Sequence, residues 1–119
     1  MSLPVNAREF AADWVAAWNA HDLERILAHY AANVALTSPV AARVLGNPAG
    51  VVTGIDALRS YFGKGLALFP NLKFTLIDVM QGLSSVVLYY ENQSGTHTGE
   101  FMEFNSDGKV ARVVANYGV

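Results

Sequence analysis

The 119-residue chain contains no cysteine. Disulfides, thiolate metal sites and a cysteine nucleophile are therefore excluded. Charge is scarce as well: Asp, Glu, Lys and Arg make up 15% of the residues, against 52% that are hydrophobic. There is no block of Lys or Arg, and the formal net charge is −2. The chain thus lacks the phosphate-neutralising surface on which nucleic-acid binding rests. Long apolar runs are missing too. The longest stretch free of Asp, Glu, Lys and Arg, Ile26 to Ala42, is broken by His29, Asn33, Ser38 and Pro39, which argues against a membrane span. Met1-Ser-Leu-Pro4 has no basic n-region and no apolar h-region, so a cytoplasmic location is expected. No GxGxxG or Walker pattern occurs, and the three histidines share no metal-ligand spacing. Neither a nucleotide nor a metal is implied.

What remains is one domain's worth of apolar sequence, read as a single unit over residues 1–119. So little charge on so small a surface implies that a pocket or a subunit interface absorbs part of the apolar surplus. The first half reads helical. Asn6 and Glu9 stand at capping-box spacing, and Phe10, Trp14, Ala17 and Trp18 follow on one helical face. Asp22 can cap a second, short helix with Leu23, Ile26, Leu27 and Tyr30 as its stripe. Val34 to Ser38 reads as a short strand ending at Pro39, and Val40 to Val52 as a loop or irregular hairpin arm. Thr53 and Asp56 again have capping-box spacing. Ile55, Leu58, Phe62, Leu66 and Phe69 then form a stripe that stops at Pro70. Gly63 and Gly65 weaken that helix by ~1 kcal/mol each relative to Ala, so packing must hold it.

The second half reads as strands: Leu72 to Met80, Ser84 to Glu91, Thr96 to Phe104 and Val110 to Tyr117. Gly82, Asn92–Gly95 and Asn105–Gly108 separate them as turns. Helices first and an antiparallel meander afterwards is an α+β order. With Gly108 at positive φ in the last turn, Met102 is expected opposite Ala111, Glu100 opposite Val113 and Thr98 opposite Ala115. Alternation then places Thr98, Glu100, Met102, Ala111, Val113, Ala115 and Tyr117 on one face. The small residues among them leave room for a hollow, with one carboxyl group in it. His97, Phe101, Glu103, Arg112, Val114 and Asn116 take the other face. Phe101, Val110 and Val114 would be costly to leave wet, so a homodimer through Phe101, Arg112 and Val114 is expected.

The run from Trp14 to Val34, Gly54–Phe62 and Phe104–Val110, taken in that order and spacing, resembles the NTF2-like, or SnoaL-like, superfamily. The resemblance implies a cystatin-like cone-shaped barrel: three helices packed into a strongly curved antiparallel sheet, with a pocket at the wide end. The N-terminal third is most similar to the ketosteroid isomerases, through Asn19-Ala20, Asp22-Leu23, Ile26 and Pro39-Val40. Those enzymes use an Asp base, a Tyr donor and a protonated Asp. Ser38 stands where that family has its base, Trp14 where it has the tyrosine, and Glu100 where it has the acidic donor. A serine hydroxyl takes no proton at neutral pH without a base beside it. An indole N–H donates from a different place than a phenol. The isomerase mechanism is therefore not expected to run unchanged.

Glu100 is the candidate catalytic residue: buried, it would have a raised pKa and could act as acid or base without a cofactor. An ordinary satisfied glutamate is the bland alternative. Trp14, Trp18, Ser38, Phe62, Tyr89, Met102, Val113 and Tyr117 are the candidate ligand-binding residues, the expected ligand being a small apolar molecule. Core packing alone would explain the two tryptophans, and a turn before proline would explain Ser38. His21 is expected in an exposed loop, His29 as a structural histidine, and His97 facing away from Glu100. Arg43 could close over an anionic ligand or be an ordinary solvated loop residue. Two functions remain open: acid/base chemistry of an isomerase, cyclase or dehydratase type on a cyclic ligand, or a non-catalytic binding and dimerisation module.

Overall fold

A computed structural model of the chain describes residues 5–119. The reading of Met1–Pro4 lies outside them. The elements are α1 (Ala7–Asn19), α2 (Leu23–Leu27), β1 (Tyr30–Thr37), α3 (Pro39–Leu45), β2 (Val51–Thr53), α4 (Ile55–Leu68), β3 (Thr75–Gln81), β4 (Ser85–Glu91), β5 (His97–Phe104) and β6 (Val110–Tyr117). The fold is α+β, with helices packed on one six-stranded sheet in the order β2-β1-β6-β5-β4-β3. Strands β3 to β6 form the expected antiparallel meander. The sheet as a whole is mixed, because β1 pairs in parallel with β6. It is also not closed: β2 and β3 are free edges, so the expected barrel is an open, half-wrapped sheet.

Two helix starts follow the sequence signals. Asn6 accepts the Glu9 N–H at 3.0 Å and Asp22 accepts the Arg25 N–H at 3.2 Å. The third differs. No side chain caps α4; Gly54, at φ 87°, occupies that position, and Thr53 is spent on β2. A further helix, α3, stands where a loop was expected. Its Ser38 N-cap, Pro39 at the first turn and Gly46 in left-handed conformation at the C-terminal end are all helix punctuation. His21 is another correction. It adopts φ 54° and is half-buried, with Nε2 2.9 Å from the Leu72 carbonyl.

The last hairpin explains how the concave face is made. Glu100 pairs with Ala115, Met102 with Val113 and Thr98 with Tyr117, two residues further along than expected. The turn Asn105–Lys109 is one residue longer, and Ala111 is an extra residue between the Phe104–Val110 and Glu103–Arg112 pairs. A one-residue slip would have turned every side chain to the wrong face. The bulge at Ala111 adds a second slip and restores the alternation. Ala111 therefore leaves the concave set. Val110, expected with Phe101 and Val114 on the outer face, is fully buried in the core of the single chain.

Helices α1 and α4 cover that face. Phe10, Trp14 and Trp18 of α1 and Leu58 and Phe62 of α4 enter one core with Val86, Leu88, Met102 and Val113. Asn19, at the end of α1, clamps Phe74 by donating from Nδ2 to its carbonyl (2.9 Å) and accepting its N–H (2.7 Å). No helix among the described residues is long and apolar enough to cross a membrane.

Two glycines separate backbone need from accident. Gly50 has φ 62°, and a Cβ there would lie 2.5 Å from the Ser38 carbonyl oxygen. Gly50→Ala is expected to cost about 1–3 kcal/mol in urea unfolding. At Gly63 a Cβ meets nothing closer than Leu23 Cδ2 at 3.8 Å. Gly63→Ala is expected to add about 0.5–1 kcal/mol in the same assay.

Candidate functional site

Between the helices and the concave face lies a cavity of about 330 Å³, at the small end of the range usual for small-molecule sites. One wall is aromatic. Trp14 stacks on Phe74 with centroids 5.7 Å apart, Phe74 lies 4.4 Å from Tyr90, and Phe62 meets Trp18 edge-on at 4.8 Å. Phe69, Leu72, Leu36 and Ala115 continue the apolar lining. The polar contributions come from Ser38, Tyr61, Thr98, Glu100 and Tyr117, with Asn92–Ser94 and Thr96 of the β4–β5 turn. Exposed Pro39, Arg43, Ser94 and Thr96 mark the opening.

Of the residues expected from sequence, Trp14, Trp18, Ser38, Phe62, Glu100 and Tyr117 all line this cavity. Three do not. Met102 and Val113 are on the concave face but fully buried in the core, one pairing step beyond Glu100 and Ala115. Tyr89 faces outward, because its neighbours Leu88 and Tyr90 take the inner positions; its hydroxyl is 2.7 Å from His97 Nδ1. His97 thus lies on the face opposite Glu100. His29 is held by Asp13 Oδ2 (2.7 Å) and the Ile26 carbonyl (3.0 Å), away from the cavity.

Glu100 is 7% exposed. The Tyr90 hydroxyl donates to its Oε1 at 2.7 Å, and Oε2 has no partner among the described residues. Burial pushes its pKa up from 4.5 to about 7; the Tyr90 bond acts in the opposite direction and only partly offsets it. The phenols of Tyr30, Tyr61, Tyr90 and Tyr117 are all pushed above their ordinary range, chiefly by burial and further by the Glu100 charge. They remain neutral donors around an acid that titrates near neutrality. Tyr30 and Tyr90 were not expected from sequence. Strict alternation along β4, anchored on the Glu100–Leu88 pair, is the signal that separates Tyr90 from Tyr89.

Beneath the aromatic wall, Trp14 Nε1 donates to the Tyr30 hydroxyl at 3.0 Å. The Trp18 indole lies close enough to favour the Tyr30 phenolate, yet its Nε1 meets no acceptor at hydrogen-bond geometry. Gln93 Oε1 is likewise buried without a partner. No cluster of His, Asp or Glu suited to a metal ion occurs among the described residues.

Comparison with known proteins fits this arrangement. The model of the SnoaL-like domain matches residues 11–113. The chain belongs to the SnoaL-like family. A solved SnoaL-like protein of unknown function from Burkholderia thailandensis E264 is 34% identical, with TM-score 0.91 over 95% of this chain and 94% of that one. The epoxide hydrolase/cyclase-like enzyme SalBIII, which acts in pyran ring formation in salinomycin, shares the fold at 17% identity and TM-score 0.73, over 95% of this chain and 91% of its own. A Kribbella flavida DSM 17836 protein provisionally assigned as a ketosteroid isomerase does so at 18% identity and TM-score 0.75, over 95% and 78%. No curated protein matches.

The raised pKa of Glu100 has a measurable sign. Below pH 4.5 the group is protonated in both folded and unfolded chains. Between 4.5 and about 7 the folded protein holds the extra proton, so stability falls as pH rises through that window and levels off above it. Glu100→Gln removes this slope. Relative to wild type, the variant is expected to gain about 3 kcal/mol between pH 4 and pH 8 in paired urea titrations.

Proposed function

We propose that this protein binds a small, hydrophobic, cyclic molecule and moves a proton on it with Glu100, without a cofactor. The observation that carries the reading is a carboxyl group buried in an apolar cavity and poised near neutral pH, with one oxygen fixed by Tyr90 and the other unpartnered. Such a group is present in both forms at pH 7, which suits a general acid or base. Ionised, it takes a proton from carbon beside a carbonyl, and the C–H electrons pass into an enolate. Protonated, it returns that proton at another carbon, and the sum is an isomerisation. The same protonated oxygen can donate its proton to an epoxide oxygen as that C–O bond breaks, while a ligand hydroxyl attacks the freed carbon, closes a ring and gives its own proton back to the carboxylate. The aromatic wall excludes water, so the carboxyl acts in a dry medium. Members of the same fold that include a cyclase-like enzyme support this class of chemistry.

We also propose that two copies pair through the outer face of the sheet. Phe101 and Val114 there are only half-buried in the single chain. The Arg112 guanidinium lies 5.1 Å over the Phe101 ring and also pairs with Glu103, so this face sets a small apolar patch among charged side chains. If Glu100 proves idle, this interface and a purely binding cavity are the remaining reading.

Two assays decide between them. A panel of cyclic enones and epoxy-alcohols is offered to wild type and Glu100→Gln. Turnover of a panel member by wild type, reduced at least about a hundredfold in the variant, is expected. Equal turnover in the two removes Glu100 from the chemistry. Sedimentation at micromolar concentration checks the pairing; a monomer throughout removes the dimer.

A further inference from the structure

Two charged side chains line the cavity: Glu100 inside and Arg43 at the opening. Arg43 belongs to the last turn of α3, whose start is fixed by the Ser38 cap and by the Ser38 N–H bond to the Gly50 carbonyl at 2.9 Å. It has no carboxylate partner among the described residues. Arg25 pairs with Asp13, Arg59 with Glu24 and Asp56, and Arg112 with Glu103. Arg43 is also not the counter-ion of Glu100, whose titration responds to burial and Tyr90 only. Burial, the Ser38 hydroxyl and the Glu100 charge act most on the phenols of Tyr61 and Tyr117, and the Arg43 charge reaches both as a smaller, opposing influence. Ser38 and Tyr61 are themselves buried. The Ser38 oxygen accepts the Val40 N–H at 3.1 Å, which leaves its own proton to donate.

An unpaired guanidinium beside three neutral hydroxyls is an anion site. We infer that the ligand is an organic carboxylate, its ring body in the aromatic interior and its head group held at the opening by Arg43 with the hydroxyls of Ser38, Tyr61 and Tyr117. A guanidinium fork matches the two oxygens of a carboxylate. One cation neutralises one negative charge, which favours a carboxylate over a dianionic phosphate. Anchoring the head leaves the far end of the ring to Glu100, so binding energy at the opening orients the reacting end. This inference deepens the proposed function and rests on it for the cavity being a ligand site.

Calorimetric titration with naphthoate and its uncharged isostere naphthamide tests it, at low salt and about pH 6, where Glu100 is mostly protonated. Wild type is expected to prefer naphthoate by roughly tenfold. Arg43→Gln is expected to lose that preference, binding the two compounds with similar affinity, and Arg43→Lys to keep part of it. Arg43 is exposed, and circular dichroism confirms that both variants are folded. Equal affinity of wild type for the two compounds, or a preference that survives in Arg43→Gln, overturns the carboxylate assignment and leaves the Glu100 reading standing. If wild type binds neither, both fall.

Discussion

One carboxyl group organises this protein. Placing Glu100 inside an apolar cavity costs free energy whenever it is ionised, and a single hydrogen bond from Tyr90 offsets only part of that cost. A core built for stability alone would carry an apolar side chain at that position. The surroundings are consistent with the group being tolerated rather than neutralised. Among the described residues no cation pairs with it; its neighbours are phenols that burial keeps neutral. A fixed donor orients the carboxyl without cancelling its basicity, whereas a paired guanidinium would have pinned it in the ionised form.

The surrounding fold can be understood as the means of keeping that group dry. Glu100 reaches the concave face only if β5 and β6 hold their register, and the register depends on a bulge. The longer Asn105–Lys109 turn alone would have sent Val113, Ala115 and Tyr117 outward. Ala111 corrects this by dropping out of the pairing. The opposite wall depends on Asn19, whose amide holds the Phe74 backbone and so fixes the ring that stacks between Trp14 and Tyr90. The two sides of the hollow are thus set by two local devices, a bulge and a side-chain clamp. Neither is part of the regular periodicity of helix or strand.

That division also explains what was legible in the sequence. Amphipathic periodicity revealed α1 and α4, and caps located α1 and α2, because those signals are local. Strand alternation put Glu100 and Tyr117 on the inner face. It gave the right face with the wrong pairing, since errors of two residues are invisible to parity. The parallel β1–β6 pairing was not legible, because it joins segments far apart in the chain through backbone hydrogen bonds alone. The short α3 could have been found: Ser38, Pro39 and Gly46 spell a helix start and stop, but the Ala-rich residues between them carry too little amphipathic pattern to outweigh a loop reading. Met102 and Val113 show another limit. Facing inward is a property of parity, whereas lining a cavity depends on depth along the strand, which alternation does not encode.

The family resemblance illustrates how a fold outlives one set of catalytic residues. At the three positions where the isomerase branch keeps its base, phenol and acid, this chain has Ser38, Trp14 and Glu100. Trp14 Nε1 is engaged with the Tyr30 hydroxyl, so that indole is tied into the core. Ser38 caps α3 and presents its hydroxyl near the opening, where a serine without an adjacent base is no proton acceptor. In the proposed reading, the acid/base function therefore falls to the third position alone. A single group serving as both acid and base must titrate close to the working pH, and burial supplies that shift without any second charge. A catalytic pair could divide the roles between two differently tuned groups; a lone one depends entirely on how dry its cavity is kept. The titration of Glu100 is thus tied directly to packing, and a change that admitted water beside Trp14 or Phe74 would lower its pKa without touching it.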